Sequence, residues 1–108
     1  VLLDFWASWC GPCSAELINV RKAYDLLKDK GLKVVAISTD EKEKDWLKAV
    51  NAKKMNDFVN LRDSKRVLWN LFNRNSIPFI LLIDPEGRIV AKELRREDIY
   101  KIPGKLIK

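Results

Sequence analysis

Short apolar runs alternate with longer amphipathic stretches along the chain, and this alternation sets the order of its elements. Residues 1–6 are apolar except for Asp4, the pattern of a parallel strand covered on both faces. A turn through Ser8 to Pro12 follows. Cys13, Leu17, Val20, Tyr24 and Leu27 then recur at steps of four and three, one apolar helix stripe with Arg21, Lys22, Asp25 and Lys28 off it. Gly31 predicts the end of this helix. Residues 33–38 are a second, β-branched strand, so the long helix between the two makes a βαβ unit with a right-handed crossover. Glu41 to about Lys54 predicts a second helix with Trp46, Leu47 and Val50 on one face. Residues 58–61 read as a short strand or an irregular segment. Ser64 is expected to cap a third helix reaching about Phe72 and burying Val67, Leu68 and Leu71. Residues 77–83 form a strand, and Asp84-Pro85-Glu86-Gly87 has the residues of a type I turn. Arg88 to Leu94 returns as an antiparallel partner. In the tail, residues 95–108, Ile99 and Ile102 have helical spacing that Pro103-Gly104 interrupts. The order β-α-β-α-(β)-α-β-β-(α) predicts an α/β fold. Its mixed central sheet has helices on both faces, with an inserted helix and strand after the βαβ unit and a C-terminal ββ hairpin.

Composition narrows the chemistry. The 108 residues suit one domain. No apolar run approaches the roughly 18–20 residues of a membrane span. There is no histidine, which excludes Ser-His-Asp and Cys-His nucleophile systems and histidine-ligated metals. Two cysteines, Cys10 and Cys13, cannot fill a structural zinc site alone. Lys and Arg number 21 against 15 Asp and Glu, a net charge of +6. Such a balance can serve nucleic acid or an anionic membrane surface. Here, however, the basic residues are scattered (Lys28, Lys44, Arg62, Arg74, Lys92, Lys108) and interleave with acids through residues 40–45, as on a solvated face. The chain opens directly on Val1-Leu2-Leu3, a strand already in progress, and the expectation is a domain cut from a longer chain.

Cys10-Gly11-Pro12-Cys13 stands where the first strand meets the first helix. At a helix N-terminus the unpaired N–H groups and the dipole favour a thiolate, so the Cys10 thiol is expected below its free value of about 8.5. Cys13, inside the first turn, is expected to be less exposed. Cys10 then attacks a substrate disulfide, and Cys13 attacks the Cys10 sulfur to release the product. Pro12 suits the first turn, where its missing N–H costs little. The plain alternatives are an inert disulfide or half of a zinc site shared with another chain.

The segment Asp4-Phe5-Trp6-Ala7-Ser8-Trp9-Cys10-Gly11-Pro12-Cys13 resembles the active-site segment of thioredoxins, and Ser76-Ile77-Pro78 resembles that fold's cis-proline loop. Cys-x-x-Cys-x-x-Glu at 10–16 and Leu-Ile-Asp-Pro-Glu-Gly at 82–87 are most similar to TlpA/ResA-like thiol-disulfide oxidoreductases. The stretch from Ser38 to Ile77 leaves room for the helix and strand this subgroup inserts. The resemblance covers nearly all of residues 1–108 and implies a thioredoxin-like fold. Cys10 matches the attacking and Cys13 the resolving cysteine. Pro78 matches the cis-proline, the Ile77 backbone the edge that pairs with substrate, and Trp9, Gly11 and Pro12 the surround of the disulfide. Asp4 matches the buried acid that takes the Cys13 proton; its other reading is a strand-end Asp bonded to backbone. Glu16 matches the subgroup's active-site glutamate; its other reading is a surface helix charge. Trp6 reads as core, and Trp46 and Trp69 as helix-packing residues. No cofactor beyond the redox-active Cys10–Cys13 disulfide is implied. The implied partners are a disulfide-containing protein and an upstream thiol reductant, with no nucleic acid. The isolated domain is expected to be a soluble monomer, working in the bacterial cell envelope or periplasm.

Four positions depart from the pattern. Phe79 follows Pro78 where thioredoxins often carry Thr. Ile18 replaces a Pro common after Glu-Leu, which predicts a less kinked first helix. The second strand offers no lysine to partner Asp4, and Pro103-Gly104 is expected to break the final helix. Gly-Pro between the cysteines resembles the reducing members, so protein-disulfide reduction is the leading reading. A peroxidase is a second, against which stands the absence of Pro-x-x-x-Thr-x-x-Cys. A redox-silent binding module is a third, which a Cys10 pKa at or above about 8.5 would favour.

Overall fold

The computed structural model describes residues 1–71 and 76–107. Five strands run along the chain: β1 (Leu2–Trp6), β2 (Val34–Ser38), β3 (Val59–Arg62), β4 (Phe79–Ile83) and β5 (Ile89–Ala91). They form one sheet in the order β3-β2-β1-β4-β5. β1, β2 and β3 are parallel; β4 and β5 are antiparallel to their neighbours. Four helices connect and cover them: α1 (Gly11–Leu27), α2 (Glu43–Ala52), α3 (Val67–Leu71) and α4 (Asp98–Leu106).

The period-two alternation of β1 divides the core. Leu2 and Trp6 face the layer of α1, α2 and α4, where Val20, Ala23, Leu27, Val50 and Ile99 close over Val34, Ala36, Ile80 and Leu82. Phe5 faces the other side with Ile37, Phe79, Leu81 and Trp69. Its ring lies 5.7 Å from Trp69 and 5.8 Å from Phe79. Helices thus lie on both faces as expected, but the second is served among the described residues by the five-residue α3, and Leu3 and Val35 there stay half-buried.

Several local expectations hold. α1 runs unbroken through Ile18, and after a 3₁₀ turn at Lys28–Lys30, Gly31 takes φ 98° and closes the helix end, a conformation only glycine adopts without strain. The inserted strand is real, since β3 pairs with β2.

Others need correction. Asp63, not Ser64, caps α3: its carboxylate accepts the Val67 N–H at 2.8 Å and the Trp69 N–H at 3.0 Å. This cap rotates the helix so that Trp69 is buried while Val67 and Leu71 are exposed. The expected end at Phe72, with Arg74 and Lys108, lies outside the described residues. In α2, Val50 is buried and Trp46 half-buried, but Leu47 is exposed. Pro103-Gly104 does not break the last helix; α4 passes through both, with Pro103 buried. Only one helical turn precedes Pro103, so its missing N–H forfeits a single bond near the helix end.

Candidate active site

Cys10 is the N-cap of α1. Its backbone is extended (φ −91°, ψ 105°), and its Sγ accepts the Cys13 N–H at 3.1 Å. One of the first orphan donors of the helix therefore ends on sulfur. The chain reaches this point through a tight turn in which the Cys10 N–H donates to the Ala7 carbonyl at 3.1 Å. Cys10 and Cys13 are disulfide-bonded, with Cα atoms 5.3 Å apart. In this oxidised form the expected contrast in exposure is absent, since the two residues are 5% and 4% exposed. What distinguishes them is position: Cys10 Sγ sits on the helix N-terminus and Cys13 lies one turn inside. Gly11 and Pro12 are exposed, and a Cβ on Gly11 would meet nothing within 4 Å.

The Ile77–Pro78 peptide is cis, as the resemblance implies. Two clefts flank the disulfide. Trp9, 68% exposed, shares one of about 310 Å³ with Ile77, Trp69 and Arg66. Pro12, Glu16 and Pro78 share an open one of about 590 Å³ with Arg95 and Arg96. Glu16 is half-buried. Its carboxylate accepts the Asn19 amide at 3.1 Å and the Arg96 backbone N–H at 2.9 Å, tying α1 to the loop before α4.

Asp4 is 3% exposed and lies in a small chamber beneath Cys13. Burial pushes its carboxyl from 3.8 up to about 7, and the charge of Glu16 adds in the same direction. Among the described residues no hydrogen-bond donor reaches the Asp4 carboxyl. Trp6 is core as expected, but its buried indole N–H has no partner among the described residues.

Two groups at the site escape a reading of the sequence. Asp40 stands in the interleaved charges of residues 40–45, yet it is only 2% exposed. Its carboxylate accepts the Ser8 N–H at 3.0 Å, the Ser8 hydroxyl at 2.6 Å and the Ser38 hydroxyl at 2.5 Å. It pins the loop that delivers Trp9 and Cys10 to the end of β2. The only prior signal is that Asp40 stands two residues beyond the end of a strand. Lys53, the C-cap of α2, donates to the Ser14 hydroxyl and lines the Asp4 chamber. The missing strand lysine thus has a counterpart that arrives from a helix end. Among the described residues there is no His, Cys, Asp and Glu cluster that could hold a metal ion.

The geometry agrees with what the chain is similar to. The thioredoxin-like family profile matches residues 1–89. ResA, a thiol-disulfide oxidoreductase of Bacillus cereus, is 29% identical over 111 residues, covering all of this chain and 62% of its own length. The chain therefore spans about three fifths of the relative it matches. The crystal structure of the thioredoxin domain of a thiol-disulfide oxidoreductase from Bacteroides vulgatus superposes with a TM-score of 0.90 at 38% identity, over 99% of this chain and 78% of that one. The solution structure of a thiol:disulfide interchange protein from a Bacteroides species gives 0.85 at 40% identity, over 98% and 71%. With its disulfide on the α1 N-terminus, its cis-proline and its similarity to ResA and to these thiol-disulfide oxidoreductase structures, the chain belongs to the thioredoxin-like family.

Proposed function

We propose that this domain reduces protein disulfides by dithiol–disulfide exchange at Cys10 and Cys13. The observation that carries the reading is the Cys10 sulfur, which caps α1 and forms a disulfide with Cys13 beside the exposed residues Trp9, Gly11 and Pro12. In the reduced protein the α1 N-terminus stabilises a Cys10 thiolate. The thiolate attacks one sulfur of a substrate disulfide; that S–S bond breaks and the first substrate thiol leaves. Cys13 gives its proton to Asp4, and its sulfur attacks Cys10 Sγ. The mixed disulfide breaks, the second substrate thiol leaves, and the Cys10–Cys13 disulfide remains. The substrate gains two electrons and the domain loses two, which an upstream thiol reductant must return. An Asp4 pKa of about 7 lets it accept and release the proton near neutral pH.

The proposed roles follow from position. Trp9 and Ile77 contact the substrate chain on one side of the disulfide, and Pro12, Gly11 and Pro78 on the other. Glu16 holds the loop that forms the wall of the second cleft. Gly-Pro between the cysteines supports the reducing direction. Family resemblance supports work in the bacterial cell envelope; no helix among the described residues is long and apolar enough to cross a membrane.

The test is catalysed reduction of a protein disulfide such as insulin, with a thiol donor. Cys10→Ser is expected to bring turnover to background, and Cys13→Ser to trap the substrate on Cys10. Unchanged turnover in Cys10→Ser would refute the assignment.

A further inference from the structure

We propose that Lys53 is a positioning residue whose side chain, latched to Ser14, closes the chamber of Asp4 and Cys13 against solvent. The chamber measures about 10 Å³, barely the space of one water. Trp6, Leu17 and Met55 supply its apolar wall. Lys53 completes it from the end of α2, and its ammonium donates to the hydroxyl of Ser14, the neighbour of Cys13. Ser14 is itself fixed, its N–H donating to the Cys10 carbonyl at 3.3 Å.

The loop behind Lys53 is also held on α1. Arg21 donates to the Lys54 carbonyl at 2.5 Å and to the Asp57 carboxylate at 2.5 Å, and its guanidinium lies 4.4 Å from the centre of the Phe58 ring. Lys53 is therefore anchored at its backbone and at its tip, with the butyl stem as the cover between them. Asp4 and Trp6 both line this chamber, and the Trp6 indole N–H is buried without a hydrogen-bond partner among the described residues. The charged groups around Asp4 are Glu16 from α1 and Lys53 from α2. The flanking strands, Val34–Ser38 and Phe79–Ile83, contain no titratable residue.

A cover and a counter-charge have opposite signatures. Loss of a cover admits water and lowers the Asp4 pKa, whereas loss of a nearby cation raises it. This inference deepens the reductase reading and rests on it for its purpose, but its test needs no turnover, so Cys10→Ser kinetics and the outcome below fail independently. The experiment is carbon-detected NMR titration of Asp4, with hydrogen exchange of the Trp6 indole, in the oxidised Lys53→Ala and Lys53→Met forms. Lys53→Ala is expected to lower the Asp4 pKa by about one unit and to speed indole exchange roughly tenfold. Lys53→Met, which keeps the stem, is expected to leave both near the parent. An Asp4 pKa unchanged or raised in Lys53→Ala, or indole exchange in Lys53→Met as fast as in Lys53→Ala, would overturn the proposal.

Discussion

Two buried aspartates stand at adjacent strands of this sheet, and their surroundings differ. Asp40, just beyond β2, receives three donors from Ser8 and Ser38. Asp4, inside β1, receives none among the described residues, and burial pushes it up to about 7. A buried carboxyl surrounded by donors serves as a pin for the chain. One left without them, next to a sulfur, keeps a proton that can move near neutral pH. The same residue type thus fixes the loop before Cys10 in one place and, under the proposed function, takes the Cys13 proton in the other.

The strongest way to break this contrast is the pH dependence of stability. Asp4 titrates near 3.8 when unfolded and at about 7 when folded, so the native state binds the proton more tightly. Its contribution is full below pH 4 and is lost as pH rises toward and through 7, on the order of 4 kcal/mol in all. Asp4→Asn is expected to remove that slope in chemical denaturation and to be the more stable form above pH 7. In kinetics, Asp4→Asn is expected to leave attack by Cys10 intact and to slow resolution of the mixed disulfide about 10²-fold. Parallel pH–stability curves for parent and variant would place the carboxyl in solvent instead.

Asp40→Ala tests the other half. It leaves the Ser8 N–H and two hydroxyls without their acceptor, at a cost of about 3 kcal/mol. Thermal unfolding is expected to show that loss. A smaller sharpening comes from Glu16→Gln. Removing that negative charge is expected to lower the Asp4 pKa, by less than opening the chamber does, because burial is the larger cause. The smallest stability effect belongs to Trp9→Ala. A side chain this exposed should change stability by less than about 0.5 kcal/mol, while KM for a protein disulfide rises roughly tenfold.

What the sequence makes legible is what depends on neighbours along the chain. The stripe from Cys13 to Leu27, the alternation of β1, the 84–87 turn and the Cys-x-x-Cys at a strand–helix junction are local patterns, and the sheet and disulfide follow from them. The errors arise where tertiary contacts decide. Whether Asp63 or Ser64 caps α3 depends on where the strand before it ends, and that choice turns Trp69 rather than Val67 inward. Pro103 is tolerated because it stands near the end of the nine-residue α4, where its missing N–H forfeits a single bond. Asp40 meets Ser8 across 32 positions and Lys53 meets Ser14 across 39, so no local pattern announces either pair. Glu16 was found as a residue, but its partner, the Arg96 backbone, lies 80 positions away.

Proton storage at Asp4 and closure by Lys53 both matter only if Cys10 is the sulfur that attacks. The direct measurement is the pH dependence of alkylation of each cysteine in the reduced protein, followed site by site. Cys10 is expected to react first, with a pKa clearly below the free-thiol value of about 8.5, and Cys13 to react slowly and at higher pH. Reaction of Cys13 ahead of Cys10, or a Cys10 pKa at the free-thiol value, would contradict the account.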